Sequence, residues 1–295
     1  MRTAYLGTSQ FAVVVLRRLA ASEHRPELVI TRPDRPQGRG RRLASPPVAD
    51  AARELGIELD QPASVNEPQV RQRLADLRPK AVCVCAYGAL IKEPLLSEYP
   101  MLNVHPSLLP RWRGAAPIER AIMAGDDRTG VSIMRLTEGL DSGPVCAQTS
   151  TPITSEDTYG SLAARLADLG GELLVGTLDT LPQCAEQDDS LATYAEKLTP
   201  EDRRLDLGRP AGELERVVRA LHPHVGAWAE LPDGSHVGVL EARAREGQGR
   251  PGEVVVIDGR WPALGCGQGE LELRLVKPSG GRAMSGEAWL RGWHG

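Results

Sequence analysis

The sequence predicts an α/β domain, an open and mostly parallel sheet with helices on both faces, followed by a small all-β domain. Two observations predict this order. Through the first half, short apolar runs alternate with stretches of helical periodicity; after about residue 225 the runs are short, alternating and broken by turn residues. The chain's 295 residues are enough for both domains.

"TAYLG" (3–7) is an apolar strand, and "FAVVVLRRLAAS" (11–22) is a helix able to lay its apolar side on a sheet. "PELVIT" (26–31) is the next strand, "PVADAARELGI" (47–57) a helix, "KAVCVCAY" (80–87) a continuously apolar strand and "MLNVH" (101–105) another. This β-α-β-α series is Rossmann-like, and ligands of such sheets sit at the carboxyl ends of the strands. The first strand-to-helix turn, "LGTSQFA", supplies Gly7 but not the other glycines of GxGxxG. Gly7 therefore reads as a tight-turn residue, with no nucleotide cofactor and no hydride chemistry.

Residues 154–181, "TSEDTYGSLAARLADLGGELLVGTLDTL", predict a long helix. Thr154 and Asp157 form a capping pair at its start, and Leu162, Leu166, Leu169, Leu173, Leu174, Leu178 and Leu181 make its packing stripe. From Pro182 the chain is polar and helix-poor, as a linker is. The expected limits are a catalytic domain over 1–183, a linker over 184–203 and a barrel over 204–295. After "GELERVVRALHP", the runs "GAWAELP", "SHVGVLEAR", "GEVVVIDG", "ALGCG" and "ELELRLVKPS" predict the small, OB-like β-barrel.

Composition excludes several classes. No apolar run reaches the roughly 18 residues needed to cross a bilayer. The odd total of five cysteines fits no small disulfide scaffold, which points to a reducing, cytoplasmic setting. Cys83 and Cys85 alternate with valine as buried strand residues, in preference to a CxC metal site, and "HPHV" (222–225) reads as a turn. No metal is expected. The net charge of −4 gives no global sign of a polyanionic partner. One segment runs against it: "RPDRPQGRGRR" (32–42) places five arginines against Asp34 on a stretch whose prolines and glycines exclude a regular helix.

The most unusual stretch is "NVHPSLLPRWRG" (103–114). If the chain stays extended, Asn103, His105 and Ser107 share one face, three polar groups that need water or a substrate. "NVHPSLLPRWRGAAPIERAI" together with "TGVSIMRLTEGLDSGPV" (129–145) resembles the active-site signature of the 10-formyltetrahydrofolate-dependent formyltransferases. The resemblance runs nearly the whole chain. The arginine segment and "TYAEKL" (193–198) narrow it to members whose acceptor is initiator methionyl-tRNA.

That resemblance implies catalytic roles for Asn103, His105 and Asp141. The Asn103 amide and the His105 imidazole would donate to the oxyanion, and Asp141 would orient the histidine and accept the amine proton through water. Glycines on either side would let the Asp141 loop bend inward. It also implies a folate co-substrate held by the backbone of Ser107, Leu108, Leu109 and Pro110, beside a pterin wall from Ala86, Tyr87, Gly88, Leu90 and Ile91. Arg35, Arg39, Arg41 and Arg42 would contact tRNA phosphates, with Arg39 between two glycines approaching most closely. The barrel, with twelve basic and twelve acidic residues, is neutral; Arg243, Arg245, Arg274, Lys277 and Arg282 are its candidates for a basic face. A chain of two such domains is expected to work as a monomer. The same triad would also serve a small amine such as an amino sugar.

Overall fold

The computed structural model describes residues 1–37 and 42–293. In chain order the first elements are β1 (Thr3–Gly7), α1 (Gln10–Ala20), β2 (Pro26–Ile30), the short pair β3 (Arg35–Gln37) and β4 (Arg42–Ala44), α2 (Pro47–Leu55), β5 (Glu58–Asp60), α3 (Pro68–Leu77) and β6 (Ala81–Cys85). Then come α4 (Leu95–Glu98), β7 (Met101–His105), β8 (Arg113–Gly114), α5 (Pro117–Ala124), β9 (Arg128–Arg135), β10 (Val145–Pro152) and α6 (Tyr159–Thr180). After β11 (Tyr194–Ala195) follow α7 (Ala211–Leu221), β12 (Ala227–Glu230), β13 (His236–Arg245), β14 (Val254–Ile257), β15 (Trp261–Gly265), β16 (Glu270–Pro278), β17 (Met284–Ser285) and α8 (Gly286–Gly292).

The chain forms two compact units: residues 1–114, 129–151 and 163–194 in one, residues 115–128, 152–162 and 195–295 in the other. The first is built on a seven-stranded sheet in the order β10-β9-β7-β6-β1-β2-β5. β5, β2, β1, β6 and β7 are mutually parallel, and β9 runs antiparallel to β7. Alternation along β1 explains why both faces carry helices. Ala4 and Leu6 join a core cluster with Val70 and Leu74 of α3, whereas the Tyr5 hydroxyl, between them, donates to Ala12 O of α1 at 2.6 Å. Gly7 is the last residue of β1 and a site of close approach, since an added Cβ would lie 2.7 Å from the Tyr5 ring.

Strong periodicity along the chain corresponds to burial in the fold. Cys83 and Cys85 are fully buried in β6, and burial pushes both thiols up to about 12. Leu162, Leu166, Leu174 and Leu178 of α6 are buried. Leu181 is not: it is 64% exposed with φ 44°, beyond the end of the helix. The Thr154–Asp157 pair forms, but in the turn before α6; the helix itself is capped by Thr158 and Ser161, each backbone N–H donating to the other's hydroxyl at 3.1 and 3.3 Å.

Two of the five cysteines pair. Cys146 and Cys184 form a disulfide, while Cys83, Cys85 and Cys266 are free and buried. Val145 and Ala185 exchange two backbone hydrogen bonds of 2.8 and 2.9 Å, an antiparallel rung that sets the neighbouring cysteines opposite each other. Thirty-eight residues separate the pair, too far for a local sequence signal.

The second unit carries an antiparallel sheet in the order β12-β13-β16-β15-β14, with β17 on β16. This is the body of the OB-like barrel. Leu214, Val217, Val218 and Leu221 of α7 pack with Val237, Val239, Leu271, Leu273 and Trp289 in one core. His222–Pro223 lies in a turn, as expected, yet His224 has a carboxylate partner that the sequence reading lacked: its Nε2 is 2.9 Å from Glu119 Oε1, and its ring stacks on Tyr159 at 3.6 Å. Among the described residues, no helix is long and apolar enough to cross a membrane.

Candidate active site

Asn103 and His105 are two residues apart in β7 and so face the same side of the sheet. It is the α3 side, because Asn103 pairs with Val84 of the apolar cluster and Met101, in the same alternation, belongs to that cluster. The Asn103 side chain is half-buried and forms no hydrogen bond among the described residues, so its amide remains able to donate.

Ser107 does not continue the alignment. The chain turns at Pro106, where Ser107 N donates back to His105 O at 2.9 Å, and the fully buried Ser107 hydroxyl donates to Arg111 O at 2.7 Å. Proline cannot continue the strand's hydrogen-bond ladder, so extended alternation ends before it. The aligned polar face is therefore Asn103 and His105 alone.

His105 is buried, and its Nε2 lies 2.9 Å from the Trp112 carbonyl. A carbonyl only accepts, so Nε2 carries the proton and Nδ1 of the neutral ring presents a lone pair. Nδ1 faces Asp141 Oδ2 at 3.6 Å. With Nε2 on that carbonyl, Nδ1 is the ring nitrogen left to face the site.

Asp141 arrives by a long excursion. The loop between β9 and β10 leaves beside Met101, where Leu136 N donates to Met101 O, and closes where Arg135 N donates to Pro144 O, both at 2.9 Å. Asp141 sits in the left-handed region, φ 46°, and its Oδ2 accepts from Gly114 N at 2.9 Å. Gly143 is obligatory at the base of this loop, since a Cβ there would lie 1.9 Å from Arg135 O.

The loop after β7 largely occupies its own polar backbone. Ser132 of β9 donates to Ser107 O at 2.6 Å and accepts from Leu109 N at 3.1 Å, while Gln148 donates to Leu109 O and to Ser132 Oγ, both at 2.8 Å. Leu108 O accepts from Arg111 N, and Pro110 O from Thr193 N. The loop after β6 lies at the same sheet edge, because β6 and β7 are neighbouring parallel strands. In it Ala86, Gly88 and Leu90 are exposed, whereas Tyr87 and Ile91 are buried in the apolar cluster. Burial pushes the Tyr87 phenol up, with Arg32 opposing the shift.

Of the basic segment, Arg35 is exposed on β3, which pairs antiparallel with β4, where Arg42 starts the strand. Arg39 and Arg41 lie outside the described residues. In the barrel, Arg245 and Arg274 converge on Glu272, which is 1% exposed, and Arg243 pairs with Glu156 at 2.8 Å. Trp261 sits beneath Arg274 and Arg260, with guanidinium-to-ring distances of 4.2 and 5.0 Å. Three of the five barrel candidates are thus tied to carboxylates.

Residues that sequence reasoning missed are those holding the site in place: Trp112, Arg113, Ser132, Gln148 and Gln187. Each acts on residues far along the chain or through its backbone; Trp112, Arg113 and the buried Ser132 stand in the quoted signature stretches, whereas Gln148 and Gln187 do not.

The formyl transferase family matches residues 1–178, and the formyl transferase C-terminal domain family matches residues 197–294. A methionyl-tRNA formyltransferase of Ectopseudomonas mendocina is 42% identical over 97% of this chain and 92% of its own length. One from Halorhodospira halophila is 44% identical over 99% and 96%. The crystal structure of HypX from Aquifex aeolicus in complex with tetrahydrofolic acid has a TM-score of 0.67 at 19% identity, covering 98% of this chain and 47% of that one, a likeness of fold. With both domain families matched in order and near-complete relatives above two-fifths identity, the chain belongs to the formyl transferase family, among the methionyl-tRNA formyltransferases.

Proposed function

We propose that the chain transfers the formyl group of 10-formyltetrahydrofolate to the free amino group of methionine on initiator methionyl-tRNA, preparing it for translation initiation. The observation that carries this reading is the convergence of the Asn103 amide, the His105 ring and the Asp141 carboxylate at the carboxyl end of β7. Residues 1–183 would perform the chemistry as a monomer, 184–203 join the domains, and 204–295 bind tRNA.

The chemistry needs two charges managed. Attack of the neutral amine on the formyl carbon makes a tetrahedral intermediate with a negative oxygen and a positive nitrogen. The Asn103 side-chain N–H donates to the oxygen. The nitrogen gives its proton to the Nδ1 lone pair of His105, and the imidazolium so formed is stabilised by Asp141. Collapse breaks the bond to folate N10, which takes the proton back from Nδ1. The products are a formamide and tetrahydrofolate, with His105 neutral again.

For the donor, the loops at 86–91 and 107–110 flank the ends of adjacent strands. Ala86, Gly88 and Leu90 provide exposed surface, and Ser107 to Pro110 a frame braced by Ser132 and Gln148. Arg35, Arg39, Arg41 and Arg42 would meet the phosphates of the acceptor tRNA.

The test is to incubate purified protein with 10-formyltetrahydrofolate and either methionyl-tRNA or an amino sugar, and to follow tetrahydrofolate release and the formylated product. Formylmethionyl-tRNA as the product supports the reading. Turnover with the amino sugar alone would replace the acceptor and leave the chemistry standing.

A further inference from the structure

We propose that Gln187 is a positioning residue for Asp141, setting the carboxylate's place opposite His105, and that buried Arg113 fixes Gln187 in turn. The inference rests on the reading of Asp141 as a reacting group.

Asp141 needs external support. It lies in an excursion with glycine on either side, at Gly139 and Gly143, and in a left-handed conformation that an aspartate does not adopt unaided at low cost. The support comes from a segment that reads as linker. The Gln187 amide nitrogen donates to Asp141 O at 2.8 Å and to Gly143 O at 2.7 Å, using both of its hydrogens. Its oxygen accepts from Arg113 Nε at 3.0 Å. Guanidinium can only donate and carbonyls can only accept, so all three partners dictate one orientation of the amide.

Arg113 anchors this arrangement. It is 3% exposed, and a buried guanidinium must have its donors met. Besides Gln187 it reaches Asp189 Oδ1 at 2.7 Å, while its backbone N donates to Thr193 O at 2.8 Å. The next residue, Gly114, supplies the N–H on the Asp141 carboxylate. Asp141 is therefore gripped twice, at its carboxylate and at its backbone carbonyl, and both grips trace back to the Arg113–Gly114 dipeptide. The segment bearing Gln187 is itself pinned to β10 by the Val145–Ala185 rung and the Cys146–Cys184 disulfide.

A displacement of the carboxylate by about 1 Å is enough to cost on the order of 100-fold in rate. Gln187 touches no reacting atom, so its effect should pass through Asp141 and appear in kcat.

The experiment compares wild type, Gln187→Glu, Asp141→Asn and the double variant. Glutamate keeps an acceptor for Arg113 but turns an oxygen toward the two carbonyls. We expect Gln187→Glu to lower kcat by about 10- to 100-fold with KM for methionyl-tRNA and for 10-formyltetrahydrofolate unchanged. The double variant should be no slower than Asp141→Asn, because the two act on one function. If the substitutions multiply, or if Gln187→Glu lowers the melting temperature while the folded enzyme keeps its kcat, the role is structural and the proposal is overturned. Should Gln187→Glu fail to fold, Gln187→Met, of similar length and uncharged, is held to the same two criteria. Wild-type turnover by Asp141→Asn would refute the reading of Asp141 itself. A slow Asp141→Asn beside a fully active Gln187→Glu would remove only the positioning role.

Discussion

Nδ1 of His105 faces Oδ2 of Asp141 across 3.6 Å, while the opposite ring nitrogen is held by the Trp112 carbonyl at 2.9 Å. The Trp112 bond sets the tautomer and leaves Nδ1 toward the carboxylate. This placement is the one on which the acid-base role proposed for His105 depends.

The first prediction concerns this pair and its neighbour. Asn103→Ala, His105→Ala and Asp141→Asn should each lower kcat by about 100-fold or more, the scale of losing an oxyanion donor or an acid-base group. Circular dichroism should show the fold retained. Near wild-type turnover in any two of the folded variants rejects the assignment.

A second prediction concerns Gly143. With Arg135 O only 1.9 Å from a Cβ at that position, Gly143→Ala must move backbone. The cost should be about 1–3 kcal/mol of stability, measured by urea unfolding. Turnover should fall as well, because Asp141 lies two residues away. A variant of unchanged stability and rate would mean that the loop does not need this close approach.

The third prediction separates a tRNA acceptor from a small one. Replacing Arg35, Arg39, Arg41 and Arg42 with alanine should flatten the salt dependence of tRNA affinity by about 0.7 to 0.9 in log-log slope for every phosphate that the segment no longer neutralises. Binding titrations at several salt concentrations measure it directly. Identical slopes for the variant and the wild type would leave the segment as solvated surface.

The fourth prediction follows from the buried thiols. Burial raises Cys83 and Cys85 from 9.0 to about 12, and Cys266 to about 11. Above pH 9 the unfolded chain gives up protons that the native state keeps, so this stabilisation is complete below pH 9 and is lost as the pH climbs toward 12. The loss approaches roughly 1.4 kcal/mol per pH unit for each thiol. Urea unfolding at pH 8 and pH 10 should show a smaller drop for Cys83→Ala than for wild type. Equal drops would show that these thiols do not contribute to the alkaline limb.

How much was legible depended on distance along the chain. β1, α1, β6, β7 and the α6 leucines announce themselves by periodicity, because burying one side of a strand or helix imposes a period of 2 or 3.6 on the residues themselves. Asn103 and His105 sharing one side follows from that same period. Ser107 shows its limit, since alternation extended past Pro106 predicts a third member of the face that the turn sends to Arg111 O instead.

The two-domain order, the buried character of Cys83 and Cys85, and the residue types available at the carboxyl end of β7 can be read from the chain alone. Packing in three dimensions brings Asp141 back to His105, sets Cys146 against Cys184, and lets Gln187 and Arg113 hold the loop between them. Separation along the chain is the cause: the cysteines stand 38 positions apart, Gln187 and Asp141 46, and Arg113 and Gln187 74. The geometry of such contacts is set by how strands and loops pack, and that packing leaves no periodic trace in the chain.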